Sequence, residues 1–251
     1  MGGMSVETGS PTAQPSAPHG PVGRRRAVFY VGLALIVAGV GLLGYVAWQL
    51  FGTNVVAHRE QQRIVTDLQT SWSFPDASRS PTTAPEPEKE RVHETPMGDA
   101  EALIRIPRFG KDYVMPVLHG IDGQSLARGF GHFPGSAGPG ARGNYALSAH
   151  RITHGEPLRQ MPELRPGDTV VVETRRAVHT YELDTDPNDL VVDFTQVWVV
   201  DPLPTNPAGG VQPAQRKGQR LITLTTCAEL FHTDNRMVAF GHLVETVKKS
   251  P

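Results

Sequence analysis

Residues 27–51 form a long stretch without a charged side chain, and this stretch limits what the rest of the chain can be. A helix rises about 1.5 Å per residue, so about 20 apolar residues cross the hydrocarbon core of a bilayer. Arg24, Arg25 and Arg26 directly precede the stretch, and positive charge favours the cytoplasmic side. We therefore expect a single-pass transmembrane helix at 27–51, a cytoplasmic N-terminus and an extracellular main domain.

A cleavable signal peptide is the alternative interpretation of the same stretch. The apolar part of such a peptide usually covers only about 7–15 residues and ends at a small-residue cleavage site. Residues 27–51 exceed that length, and no convincing cleavage site follows Phe51. The pattern favours an uncleaved anchor.

The regions around the anchor have little apolar bulk. The first part of residues 1–26 is rich in Gly, Pro, Ser and Thr, so we expect residues 1–26 to form a disordered cytoplasmic tail. Residues 52–99 combine an amphipathic segment with a Pro-rich linker. The apolar stripe of that segment consists of Val56, Ile64, Leu68 and Trp72. It predicts a short helix that packs on the membrane or on the folded domain, or serves only as a stalk.

Residues 100–251 are expected to form the folded domain, because short β-rich runs replace the helical pattern there. The sequence RPGD at Arg165–Asp168 predicts a tight turn before a strand, and the region Arg175–Ala177 predicts the reversal of a hairpin. Runs of this length and spacing indicate a mostly β fold, either a barrel or a sandwich.

The overall charge gives no reason to expect nucleic-acid binding. The chain has 24 basic and 25 acidic residues and a formal net charge of −1. Cys227 is its single cysteine, so the chain forms no intramolecular disulfide and no metal cage of several cysteines.

Cys227 ends the strand-like run LITLTTC. On a strand, Thr223, Thr225 and Cys227 share one face, whereas Ile222 and Leu224 point to the other. A polar face that ends in a thiol is unusual for core packing, although a free cysteine is often only a small buried hydrophobic residue.

Two further residues have the chemistry that a nucleophilic thiol requires. His150 ends the run NYALSAH, and adjacent strands would bring its imidazole to the same barrel rim as the thiol, where it could relay protons. Arg236 follows Cys227 by nine residues, a length that fits a loop between two antiparallel strands, and could stabilise an oxyanion. Without such partners, each residue would be read as an ordinary polar group at a strand end.

The segments GNYALSAHR, ELRPGDTVVVET, ITLTTC and NRMVAFGHLVET resemble the sortases, in particular their class E branch from high-GC Gram-positive bacteria. The similarity covers about Leu103–Val247, and its most specific features are His150, Cys227 and Arg236 in that order. One departure is Ala149, where many relatives carry Gly before the histidine. The resemblance implies a closed eight-stranded β-barrel with short helices, preceded by one transmembrane helix.

The resemblance also implies an activity. Cys227 would attack the Thr–Gly amide of an LAxTG-like or LPxTG-like sorting signal on a surface protein and form a thioester. An amine of a peptidoglycan precursor would then accept the acyl group, which anchors the protein to the cell wall. His150 would act as general acid and base, and Arg236 would hold the oxyanion or substrate carbonyl.

Three more residues are substrate-binding candidates by the same resemblance: Tyr145, Thr225 and Thr226. Strand alternation places Tyr145 on the face opposite to His150, so a core position for its ring is equally consistent with the pattern. His132, in GFGHFPG, is interpreted as structural rather than catalytic.

No cofactor and no catalytic metal are expected, because no histidine pair has the spacing of a zinc site with a third ligand nearby. Asp184, Asp186 and Asp189 could be compared with the calcium loops of some sortases, but a solvated acidic turn explains them better.

Two alternative functions stay open at this point. One is another cell-wall cysteine enzyme, either an L,D-transpeptidase or an amidase, although the chain lacks an SHGC-like run and has His before Cys. The other is a non-catalytic wall-binding module with a sortase-like barrel.

Overall fold

The computed structural model describes residues 22–48, 52–73, 100–229 and 234–249. By its internal contacts the chain divides into two units, residues 1–46 and 47–251, and each is described by itself. The predicted Pro-rich linker lies mostly outside the described residues, as does most of the predicted cytoplasmic tail.

The first unit contains helix α1, Val22–Ala47. The helix begins within the segment that was expected to be an unstructured tail, so Arg24, Arg25 and Arg26 are part of it. Its portion Ala27–Val46 has a mean hydropathy of 2.3 and is long and apolar enough to cross a membrane. This helix is compatible with the predicted anchor.

The second unit is built around a mixed sheet, with parallel and antiparallel pairs, that closes on itself. The strands are β1 Ala100–Arg105, β2 Met115–His119, β3 Phe130–His132, β4 Gly143–Ser148, β5 Thr169–Glu173, β6 Ala177–Leu183, β7 Val191–Asp193, β8 Arg220–Cys227 and β9 Asn235–Lys248. Strands β6, β5, β1, β2, β3, β4, β8 and β9 follow one another around the barrel, and β9 returns to pair with β6. The expected closed eight-stranded barrel is therefore confirmed, and β7 adds a ninth strand at the side of β9.

Short elements connect the strands. Besides α2, Thr53–Ser73, the unit contains the short helix α3, Gly123–Arg128, which the Asp122 side chain caps. Among the residues that the structure describes, 3-10 turns lie at Pro107–Phe109, Met161–Glu163 and Val197–Val200.

The two predicted reversals have the expected form. The Asp168 amide donates to the Arg165 carbonyl at 3.0 Å, and Gly167 has a φ of 90°, a conformation that glycine adopts without steric cost. Strands β5 and β6 then pair as a hairpin in which Glu173 lies opposite Val178.

The strands near Cys227 bury both of their faces. The face of β8 that carries Ile222 and Leu224 belongs to the main core inside the barrel. On the neighbouring strand β9, Val238 and Phe240 belong to a second, smaller core with Leu190 and other residues of the long β6–β8 connection. This connection covers the outer face of β8 and β9, so a polar residue there lies between two layers.

Helix α2 packs against the barrel. Ile64, Val65 and Leu68 form a buried cluster with Leu103 of β1, and Trp72 lies at its edge. Packing on the folded domain, one of the three predicted possibilities, is therefore the one found. Val56, which was assigned to the same apolar stripe, is 57% exposed, because the buried stripe begins at Ala57 and Gln61 instead.

We expect Leu68→Ala to lower the free energy of unfolding by about 2–4 kcal/mol, because it opens a cavity between α2 and β1. Urea denaturation of the detergent-solubilised full chain, followed by Trp fluorescence, measures this loss. Val56→Ala is the matched control and should change stability by less than about 0.5 kcal/mol, since Val56 is exposed. Equal losses in the two variants would show that α2 does not pack stably on the barrel.

Candidate active site

The backbone register of three adjacent strands aligns the sequence-predicted residues. Strands β4 and β8 are parallel, with Ser148 opposite Thr225, and β8 pairs with β9 so that Cys227 lies opposite Arg236. The alignment continues beyond β4, because the Ala149 amide donates to the Thr225 carbonyl at 3.2 Å. Extended by two residues, this register would set His150 level with Cys227, at the rim where Arg236 also lies.

Cys227 and Arg236 lie on the outer face of the barrel rather than in its interior. Residues directly opposite each other in a ladder share a face. Tyr145 and Leu147 of β4 are in the main core, so Ser148 faces outward. Thr225 of β8 lies opposite Ser148, and Cys227, two residues further along β8, is on the same outer face. Alternation along β8 was expected from the sequence, but the sequence did not indicate that its polar face is the outer one.

Burial sets the protonation state of His150. The desolvation of its ring, with a smaller contribution from His154, lowers the pKa of His150 from its ordinary value of 6.5 to about 4. The two rings stack with centroids 4.6 Å apart and planes inclined by 26°. The His150 imidazole is therefore neutral at neutral pH and able to accept a proton.

Helix α2 holds the loop that follows His150. The buried Gln61 side chain donates to the His154 carbonyl at 2.9 Å, and the Asn54 side-chain oxygen Oδ1 accepts from the Gly155 amide at 3.0 Å. A Cβ on Gly155 would come within 2.5 Å of Gln61 Oε1, so only glycine allows this approach without a shift. His154 and Glu156 have φ angles of 53° and 52°, which L-residues seldom adopt.

Arg151 joins the ends of β4 and β8. Its Nη1 donates to the Cys227 carbonyl at 3.4 Å and also to the Ala228 carbonyl. The chain just after the nucleophile candidate is thus tied to the chain just after the base candidate.

A groove of about 270 Å³ leads to this rim. Its floor includes Ser148, Thr225 and Arg236, and apolar side chains form much of its walls. The wall residues are Ile121, Leu126, Phe133, Val192, Phe194, Val197, Val199 and Val200. A groove with an apolar wall and a polar floor suits an extended peptide with small apolar side chains.

Asn144 fixes one wall of the groove. Its side-chain amide donates to the carbonyls of Val199 at 3.2 Å and Asp201 at 3.1 Å, while its oxygen accepts from the Thr223 hydroxyl at 2.8 Å. The fully buried Asn144 therefore anchors the 3-10 turn of the β6–β8 connection on β4 and β8.

Comparisons with known proteins agree with this geometry. Residues 104–244 match the family model described as a sortase domain. Sortase SrtE1 of Streptomyces coelicolor is 35% identical over 227 residues, and the match covers 88% of this chain and 58% of that protein. The chain belongs to the sortase family. Sortases are cysteine transpeptidases, and the expected resemblance to their class E branch is confirmed.

Two further relatives support the same family assignment. Sortase SrtE2 of the same organism is 28% identical over 250 residues, with 94% of this chain and 92% of that protein covered. The structure of sortase E from Streptomyces avermitilis has 35% identity and a TM-score of 0.53 over 60% of this chain and 91% of that chain.

Two of the substrate-binding candidates lie inside the sortase barrel. Tyr145 is 1% exposed, and its hydroxyl donates to Glu101 Oε1 at 2.7 Å. Thr226 is also buried, and its hydroxyl donates to the Ala149 carbonyl at 2.8 Å, which links β8 to the residue before His150. Only Thr225, the third candidate, lines the groove.

Other polar clusters of the described residues lie away from this rim. Asp184 pairs with His242 at 2.8 Å, and Asp186 accepts from Asn188, so these aspartates take part in separate contacts. A larger cavity of about 570 Å³ lies near Arg220, at the end of β8 opposite to Cys227. The one group with three potential metal ligands within the described ranges is Glu101, His119 and His132.

Sequence reasoning missed the residues that support His150. Gln61 and Asn54 are far from it in the chain, and Arg151 and His154 follow it without a motif of their own. A buried glutamine on the apolar side of α2 is the one signal that could have indicated a polar contact there.

We expect the His150 ring to titrate near pH 4 rather than near 6.5, as measured by the Cε1–H chemical shift of the 13C-labelled chain in detergent. The unfolded state binds this proton near pH 6.5 and the folded state only near 4, so stability should fall as the pH is lowered through that interval. A midpoint near 6.5 would contradict the burial of the ring.

We expect Gln61→Ala to raise the His150 pKa towards its ordinary value, because the loop that covers the ring loses its contact with α2. The same NMR titration measures the change, and Gln62→Ala on the exposed side of α2 is the matched control. Identical titration curves for the two variants would show that α2 does not position the loop.

Proposed function

We propose that this protein is a membrane-anchored transpeptidase that joins surface proteins to the cell wall through a thioester on Cys227. The observation that supports the proposal best is the register that sets Cys227 opposite Arg236 and brings the end of β4, two residues before His150, beside them. Membership of the sortase family points to the same activity.

The first step is acylation. The Cys227 sulfur attacks the carbonyl carbon of the Thr–Gly amide, and the neutral His150 ring accepts the thiol proton. When the tetrahedral intermediate collapses, the C–N bond breaks and His150 donates the proton to the departing glycine amine. The products are a thioester on Cys227 and a free amino end.

The second step reverses the same proton transfers. An amine attacks the thioester carbonyl, His150 takes the proton from its nitrogen, and the Cys227 sulfur leaves and is reprotonated. A new amide forms without any change in oxidation state. In this proposal the amine belongs to a peptidoglycan precursor.

Arg236 is proposed to stabilise the carbonyl oxygen in both steps. It lies opposite Cys227 in the ladder and lines the groove floor. A guanidinium offers several donors in fixed geometry to an oxygen that gains negative charge. Removal of such a donor typically costs about 10²–10³-fold in kcat.

The proposed substrate is an LAxTG-like or LPxTG-like sorting signal in extended conformation. The apolar walls of the groove suit the leucine and alanine of such a signal, and Thr225 contributes a hydroxyl on its floor. The roles of Tyr145 and Thr226 are then indirect: they support the inner face of β4 and β8, where both are buried.

The proposed location of the reaction is the outer surface of a Gram-positive cell. The apolar helix Ala27–Val46 would anchor the chain, and the three arginines before it favour a cytoplasmic N-terminus. The barrel would then face the cell wall, where both substrates are available. No nucleic acid and no cofactor have a part in this reaction.

Family membership favours a sortase over an L,D-transpeptidase or an amidase. The non-catalytic wall module remains as the competing function, and it differs in one measurable respect, since it requires no thiol.

We expect the full chain in detergent micelles to release a hydroxamate from an LAxTG peptide in the presence of hydroxylamine. Cys227→Ala should abolish the product, and Arg236→Lys should reduce kcat by about 10²-fold, because a lysine lacks the forked donors. Mass spectrometry of the peptide product and of the trapped Cys227 thioester provides the measurement.

His58→Ala is the matched control for His150→Ala in this assay, since His58 is an exposed histidine of α2. Only the His150 variant should lose activity. Hydroxamate release that Cys227→Ala leaves unchanged would contradict the thioester mechanism. The absence of release by the parent chain, together with no labelling of Cys227 by any sorting-signal peptide, would support the non-catalytic module instead.

A further inference from the structure

Three side chains with metal-binding chemistry meet on the inner side of strands β1, β2 and β3. Glu101 is near the start of β1, and His119 and His132 are the last residues of β2 and β3. Strands β2 and β3 are parallel with His119 opposite His132. His132 lies opposite Leu147, which faces the core, whereas Ser148 and Phe133 line the groove, so the cluster and the groove are on opposite sides of the barrel wall.

An irregularity in β1 directs Glu101 towards the two histidines. Ala102 and Ile104 face the main core, and Leu103 faces α2, so simple alternation would also point Glu101 towards α2. The register between β1 and β2 shifts between Ala100 and Ala102, which is the effect of a β-bulge. Bulges commonly re-aim a side chain in this way.

One ring nitrogen of His132 faces an oxygen atom that can only accept a hydrogen bond. Its Nε2 lies 3.1 Å from the Ala137 carbonyl oxygen, and a carbonyl requires an N–H donor. In the neutral ring the other nitrogen, Nδ1, then carries a lone pair. This atom lies 3.0 Å from Glu101 Oε1, a carboxylate oxygen that already accepts from the Tyr145 hydroxyl.

His119 repeats this contact at the second carboxylate oxygen. Its Nε2 lies 3.1 Å from Glu101 Oε2. The Glu101 carboxylate thus stands between two imidazole nitrogens, and a positive charge at this point, either a proton or a metal ion, would stabilise the arrangement.

The arrangement has the features of a metal site beyond the ligand atoms themselves. The three ligand atoms lie within 4.8 Å of one another. The Ala137 carbonyl orients the His132 ring and the Tyr145 hydroxyl orients the carboxylate, as outer hydrogen bonds do around bound metals. The His119 side chain is 60% exposed, which gives an ion a path from solvent and leaves room for a water ligand.

We propose that Glu101, His119 and His132 bind a divalent transition-metal ion of the zinc type, with water completing the coordination. Two imidazoles and one carboxylate are ligands that such ions accept in tetrahedral geometry. The ion joins β1, β2 and β3 at one point and neutralises the carboxylate inside the barrel. Its role is stabilisation of this barrel end, and the site does not depend on the proposed transpeptidase activity.

The test uses the full chain in detergent micelles, stripped of metal and purified without a histidine tag. Zinc chloride is titrated by calorimetry, and thermal unfolding is followed with and without zinc. We expect one ion per chain, a micromolar or tighter Kd and a higher Tm with zinc, because binding to the folded state stabilises it. Cobalt should give the intense visible absorption of a tetrahedral site.

His119→Ala is the decisive variant, since the exposed His119 ring can be removed without a cavity in the core. It should weaken zinc binding at least about 100-fold and abolish the Tm increase. His58→Ala, at an exposed position of α2, is the matched control and should bind zinc like the parent chain.

Three results would overturn the proposal. The first is the absence of saturable zinc binding, and the second is zinc binding that His119→Ala leaves unchanged. The third is a 15N spectrum in which both nitrogens of His132 stay protonated in excess zinc, because an imidazolium–carboxylate pair would then supply the positive charge and no ligand atom would be available to a metal.

Discussion

The parallel pairing of β4 with β8 is the constraint on which the candidate site depends. Its register makes the residues after β4 and the end of β8 meet, and the antiparallel pairing of β8 with β9 adds Arg236 on the other side. A register slip of one residue would turn every side chain of a strand to the opposite face. The apolar inner face of β8, with Ile222 and Leu224 in the core, prevents such a slip. Packing inside the barrel therefore determines which side chains of β8 lie on its outer face.

The outer face gains its own protection from the β6–β8 connection. The small core around Val238 and Phe240 holds this connection on β9, and Asn144 holds it on β4 and β8. The groove therefore has a rigid floor of strands and a wall whose position two independent contacts determine. Reactants bound there would meet Cys227 at the end of a preformed path, which reduces the entropy lost on binding.

Much of this architecture could be predicted from the sequence, and the reasons are local. Short β-rich runs and the turn at Arg165–Asp168 indicated the sheet, and alternation in LITLTTC separated the thiol from the apolar side chains. The periodicity of α2 could not show whether the helix packs on the membrane or on the barrel, since both surfaces accept the same apolar stripe. The Glu101 cluster was missed because a bulge and three strands assemble it, and spacing along one chain does not reveal that.

The contacts of α2 change where the functional domain begins. Sequence patterns set its start at residue 100, yet residues 53–73 cover Leu103 and hold the loop beside His150. Residues 53–73 are thus part of the folded domain, although residues 74–99 separate them from the barrel in the chain. A fragment that starts at residue 100 would expose an apolar surface and lack the helix that supports the loop next to the proposed catalytic base.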